Sequence, residues 1–171
     1  MKRFVKNAGT LVAAGVVVAL VHSPLTAQKL KAELRGYEEV PALSSPAEGS
    51  FELSIKGDTL EYELSYSGFE TAVAVAHIHL GQPGVAGGVI AFLCGGGGKD
   101  PCPQGSGTVT GTITPADIIG PSGQGIAPGE FDEAVEALLN GVVYANVHTA
   151  QYPAGEIRGQ LGPGFSNRRR R

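Results

Sequence analysis

Five side chains in this sequence have types and spacing that can do chemistry: His77, His79, His148, Cys94 and Cys102. His77 and His79 stand two apart within the apolar run from Thr71 to Leu80. On a strand they project from one face, while Ile78 and Leu80 project from the other. Further on, Val143, Ala145 and Val147 alternate with Tyr144, Asn146 and His148, which assigns His148 to the second face of a second strand. If the two strands are neighbours, or meet across an end of a barrel, His148 approaches the pair. Three converging neutral imidazoles suit a single Zn or Cu ion. The same rings can instead brace loops by donating to backbone carbonyls, and Gly81, Gly84, Gly87 and Gly88 form a loop beside them that needs bracing. The spacing leaves both roles open. Glu156 and Arg158 are expected either to pair with each other or to flank such a site. No serine sits in a nucleophile elbow and no set of nucleophile, base and orienter is visible, so no catalytic residue is assigned.

Cys94 and Cys102 bracket Gly-Gly-Gly-Gly-Lys-Asp-Pro. Such a permissive loop lets the thiols meet, and in an oxidising compartment they are expected to form a disulfide. A metal pair would need further soft ligands, which the window lacks. Gly98-Lys99 is no phosphate loop either, because Asp100 occupies the position that needs Ser or Thr and Leu93 the position of the first Gly.

The oxidising context comes from the N-terminus. Lys2, Arg3 and Lys6 precede an apolar stretch from Leu11 to Val21, followed by Pro24 and Ala27. These are the regions of a secretory signal, expected over residues 1–27, and the stretch is too short for a membrane span of roughly 20 residues. No transmembrane anchor is expected in the mature chain. The export route implies a periplasmic or extracellular protein. Its domain spans about 28–162, followed by a basic tail over 163–171 that ends in Arg168 to Arg171. The full chain carries a formal charge of −3, but the body between signal and tail sets only six Lys/Arg against 16 Asp/Glu. So acidic a body disfavours nucleic-acid binding, which needs a basic face.

The elements that must position the histidines read as short strands. Phe51, Leu53 and Ile55 alternate with polar residues, Gly57-Asp58 turns the chain, and Leu60, Tyr62, Leu64 and Tyr66 alternate on the way back. That is a hairpin with one wet face. Further strands are expected at 71–80, 89–93, 108–114, 142–149 and 156–161. Thr114-Pro115-Ala116-Asp117 has the chemistry of a short helical turn, and Phe131, Ala134, Val135 and Leu138 recur at helical spacing up to Asn140-Gly141. The expected fold is all-β, a Greek-key-like antiparallel β-sandwich or barrel with one short covering helix at about 130–140.

Three segments also carry a family resemblance. Leu34-Arg35-Gly36-Tyr37-Glu38-Glu39-Val40-Pro41, Ala76-His77-Ile78-His79-Leu80-Gly81, and Tyr144 to Thr149 continuing through Pro153 to Leu161 resemble the start and the two signature segments of the CHRD (chordin) domain family. The resemblance runs from about Lys29 to Leu161. It implies an all-β extracellular module with a binding or structural role toward an extracellular or envelope partner. Growth-factor antagonism is not implied, because the cysteine-rich modules credited with that contact are absent. The His-x-His strand with a later single His is also similar to the copper ligands of Cu/Zn superoxide dismutase. No fourth histidine and no His/Asp zinc loop follow, so the likeness extends to a single Cu or Zn ion, with redox activity open to it, and not to dismutase activity.

Overall fold

The computed structural model describes residues 28–163; the expected signal segment and the terminal arginines lie outside the described residues. Strand β1 (Gln28–Arg35) is followed by β2 (Glu48–Lys56), β3 (Thr59–Ser67), β4 (Val73–Leu80), β5 (Gly88–Cys94) and β6 (Gly107–Ile113). Helix α1 (Phe131–Leu139) then leads to β7 (Val143–Thr149), β8 (Ile157–Gln160) and the two-residue β9 (Gly162–Pro163). All pairings are antiparallel, in the order β5-β4-β7-β8-β1-β2-β3-β6, with β9 alongside β1. The late strands β7 and β8 are inserted between β4 and β1, which is the crossing connectivity expected of a Greek-key-like fold.

Period-two patterning sets the inside of this sheet. Leu30, Ala32 and Leu34 of β1, Phe51 and Leu53 of β2, and Leu60, Tyr62, Leu64 and Tyr66 of β3 are buried in the common core. The intervening Lys31, Glu33, Glu52, Glu61 and Glu63 are exposed. Gly57 takes a positive φ of 58° in the β2–β3 turn, a conformation glycine adopts without steric cost. On the exposed face Lys31 pairs with Glu52 and Lys56 with Glu61, contacts that contribute little to stability.

The ends of the sheet, β5 and β6, come together to make a nearly closed barrel. Across the seam Tyr62 Oη donates to Leu93 O at 2.7 Å, and Lys99 Nζ donates to Thr112 O at 2.8 Å. Cys94 and Cys102 form the expected disulfide, with Cα atoms 5.0 Å apart. Helix α1 covers one part of the core with Phe131, Ala134, Ala137 and Leu138 buried; Val135 is half-buried against the same cluster. Gly141, at φ 70°, ends it. The turn at Pro115–Asp117 is a single turn of 3-10 helix held by Thr114, whose N–H and hydroxyl both donate to the Asp117 carboxylate. No helix among the described residues is long and apolar enough to cross a membrane.

Candidate metal centre

β4 and β7 are direct neighbours, and this brings the three histidines together. Their inner faces are core: Ala76 and Ile78 on β4, and Val143, Ala145 and Val147 on β7. His77, His79, Tyr144, Asn146 and His148 therefore occupy the outer wall of the barrel, yet all five are at most 8% exposed. The connecting loops roof this wall. His79 lies opposite Tyr144 and His77 opposite Asn146 in the register, and His148 is the diagonal neighbour of His77. Cross-strand and diagonal positions on one face are close enough for large side chains to touch.

The ligand atoms of His77, His79 and His148 all lie within 4.8 Å of one another. His77 Nδ1 is 3.2 Å from His148 Nε2. Two of the rings also reach a carbonyl: His79 Nδ1 donates to Gly87 O and His148 Nδ1 to Pro153 O, both at 3.1 Å. A carbonyl accepts only, so these bonds place the proton on Nδ1 in both rings and leave Nε2 with a lone pair. His79 Nε2 is buried without a hydrogen-bond partner, and His148 Nε2 is the atom that meets His77.

Burial holds all three rings neutral. His77 is pushed down to about 3, first by desolvation and then by His148 and His79. Desolvation pushes His79 down to about 4 against the opposing bond to Gly87, with His148 and Arg158 adding to the shift. His148 is lowered by desolvation, which outweighs its bond to Pro153. Neutral imidazole is the form that ligates metals.

Aromatic rings pack the cluster in place. Phe92, opposite His77 on β5, meets that ring edge-on at 4.5 Å between centroids. Tyr144 stacks on His79 at 4.8 Å and 7° between planes. The Tyr144 hydroxyl accepts from Gly87 N at 3.0 Å, fixing the loop whose carbonyl orients His79. Arg158 covers the Tyr144 ring, its Cζ 3.4 Å from the centroid, and donates to Gln82 O and Val85 O of that loop. Glu156 accepts instead from Ser45 Oγ at 2.7 Å and Thr149 Oγ1 at 2.6 Å. Of the two roles expected for these residues, Arg158 takes the flanking one, and neither it nor Glu156 enters an ion pair with the other. Glu39, whose carboxyl is raised by burial against the opposing pull of Asn146 and Arg158, accepts from Asn146 Nδ2 at 2.6 Å.

Phe92 and the loop carbonyls of Gly87 and Pro153 were not legible as site residues. Their roles depend on β4–β5 register and loop paths that no periodicity encodes. Two hollows, about 470 and 460 Å³, lie elsewhere, on the open outer face of β1, β2, β3 and β6 among mostly polar side chains. They are shallow grooves of a pleated surface and contain none of the histidines.

No curated protein matches the chain. The family profile of the CHRD domain matches residues 30–161, a span that runs from within β1 through β8 and includes the paired-histidine strand and the strand of His148. That span is well over half of the sequence, and the chain belongs to the CHRD domain family.

Proposed function

We propose that this CHRD β module binds one Cu or Zn ion through His77 Nδ1, His79 Nε2 and His148 Nε2, and that it does so outside the cytoplasm. The observation that carries the reading is the convergence of three neutral imidazoles whose ligand atoms lie within 4.8 Å of one another; His77 Nδ1, which donates to His148 Nε2 in the metal-free protein, becomes a ligand once its proton moves to Nε2 of the same ring. Nitrogens so placed share a point about 2.8 Å from each at most, so small ring movements bring them to the 2.0–2.1 Å of a metal bond. The 3.2 Å between His77 Nδ1 and His148 Nε2 is already close to the edge of roughly 3.3 Å between two ligands of a tetrahedral ion. Three protein ligands leave a coordination position for an exogenous group. The Cys94–Cys102 disulfide and the expected signal over residues 1–27 support an exported protein.

A second reading has its own support. The bonds from His79 to Gly87 O and from His148 to Pro153 O are the loop braces of a purely structural role, in a module that engages an extracellular or envelope partner by its surface. Equilibrium dialysis of the mature oxidised protein against Cu(II) and Zn(II) separates the two. The metal reading expects about one ion per chain, lost in His77→Ala, His79→Ala and His148→Ala. Stoichiometry far below one, or retention in all three variants, would falsify it. Loss of stability in each variant without any metal effect is the outcome expected of braces alone.

A further inference from the structure

A cation on these three rings would meet an unusual charge balance. The imidazoles bring no negative charge, and the metal-capable cluster contains histidine alone, with no carboxylate. The nearby acid Glu39 accepts from Asn146 and interacts with Arg158, offsetting part of that residue's positive field, and Glu156 accepts from Ser45 and Thr149; neither carboxylate belongs to the histidine cluster. The nearest formal charge stacked on the site is positive. β7 lies between β4 and β8, so Tyr144 is sandwiched by His79 from one side and Arg158 from the other. The separations of 4.8 Å and 3.4 Å in series put the guanidinium about 8 Å from the His79 ring, at a residue only 3% exposed.

Two terms then depend on the ion's charge. Desolvation of an uncompensated ion grows with the square of its charge, and repulsion by Arg158 grows in proportion to it. Both weigh more heavily on a divalent ion than on a monovalent one. Of the ions that imidazole serves, copper is the one with a stable monovalent state. We infer that the three-histidine site is a cuprous site, and that Arg158, acting across Tyr144, is the residue that sets its preference for Cu(I) over divalent ions. This rests on the metal-binding reading above. A unit charge about 10 Å away at an effective dielectric near 20 changes a binding constant roughly tenfold for each unit of charge on the ion.

The test compares ions on the mature oxidised protein. Cu(I) is supplied without oxygen and titrated against bicinchoninate, and Zn(II) against a chromophoric zinc chelator. The wild type is expected to hold Cu(I) at least a hundredfold more tightly than Zn(II). Bound copper should also show a one-electron potential above that of the free aqueous couple. Zn(II) binding as tightly as Cu(I), with both dependent on the three histidines, overturns the inference and leaves the metal site standing. No histidine-dependent binding of Cu(I), Cu(II) or Zn(II) removes both. Arg158→Met is expected to narrow the Cu(I)-to-Zn(II) ratio roughly tenfold, and Arg158→Lys, which keeps the charge, to hold it within about threefold. An unchanged ratio in a folded Arg158→Met protein, or collapse of the ratio in Arg158→Lys, overturns the assignment to Arg158. The wild-type ratio decides the identity of the ion even if Arg158→Met does not fold.

Discussion

His79 commits one ring nitrogen to structure and leaves the other bare. Nδ1 is spent on Gly87 O, and that bond fixes the tautomer in which Nε2 is bare. His148 repeats the device with Pro153 O. Bracing and ligation, open alternatives on spacing alone, are compatible because they use opposite sides of each ring. Neutral burial has a consequence for the metal-free protein. His77 titrates near 3 and His79 near 4 when folded, against about 6.5 unfolded, so between those values the unfolded chain binds more protons. Stability contributed by the neutral rings is intact above pH 6.5 and is lost as pH falls toward 4. Lowering the pH from 7 to 5 should cost on the order of 2 kcal/mol for each of the two rings. Urea unfolding in the presence of a chelator measures this, and His79→Gln should show a shallower pH dependence than wild type. Equal slopes in the two proteins would contradict the buried-neutral assignment.

At the scale of elements, the hairpin of β2 and β3 was readable because one face is wet and the alternation is clean. The period also placed His77 with His79, and His148 with Tyr144 and Asn146. It did not reveal that β4 and β7 are neighbours, which is a property of chain crossing, nor that their outer faces are buried. That burial comes from loops, whose glycines carry no hydrophobic pattern. Gly87 shows how tightly the loop after β4 is fitted. A Cβ there would drive into Leu80 O, while its own carbonyl and N–H are held by His79 and Tyr144. Gly87→Ala is therefore expected to displace the loop, destabilise the fold by roughly 1–3 kcal/mol, and weaken metal binding at least tenfold. Gly84→Ala in the same loop, where a Cβ meets nothing within 4 Å but φ is 75°, should cost only about 1 kcal/mol and spare the site. Calorimetry and metal dialysis on both variants check the contrast; equal loss of metal in the two would mean that loop flexibility, and not the Gly87 carbonyl, governs His79.

For the molecule as a whole, the all-β class, the single covering helix and the disulfide were legible, because each has a local signature in period, capping residues or cysteine spacing. A sandwich or barrel was expected, but which strands close it was not legible, since closure joins β5 to β6 through contacts that no segment encodes by itself. That seam is the place where the sheet lacks a continuous ladder, and the Cys94–Cys102 bridge sits on it beside the bonds from Tyr62 to Leu93 O and from Lys99 to Thr112 O. The bridge closes a short loop, with a sequence separation of 8, so its removal should cost about 2.5 kcal/mol and lower Tm by roughly 5–10 °C. The loss should also be local before it is global. Cys94 pairs with Ala76 and Phe92 with His77 in the β4–β5 register, so an opened seam frays β5 toward the ring that Phe92 packs. Hydrogen exchange on Cys94→Ala/Cys102→Ala should therefore show β5 and β6 losing more protection than the drop in global stability that β1, β2 and β3 share, and metal affinity should fall with β5. Uniform loss of protection around the barrel would show that the seam has no separate stability and that the disulfide acts on the unfolded chain alone.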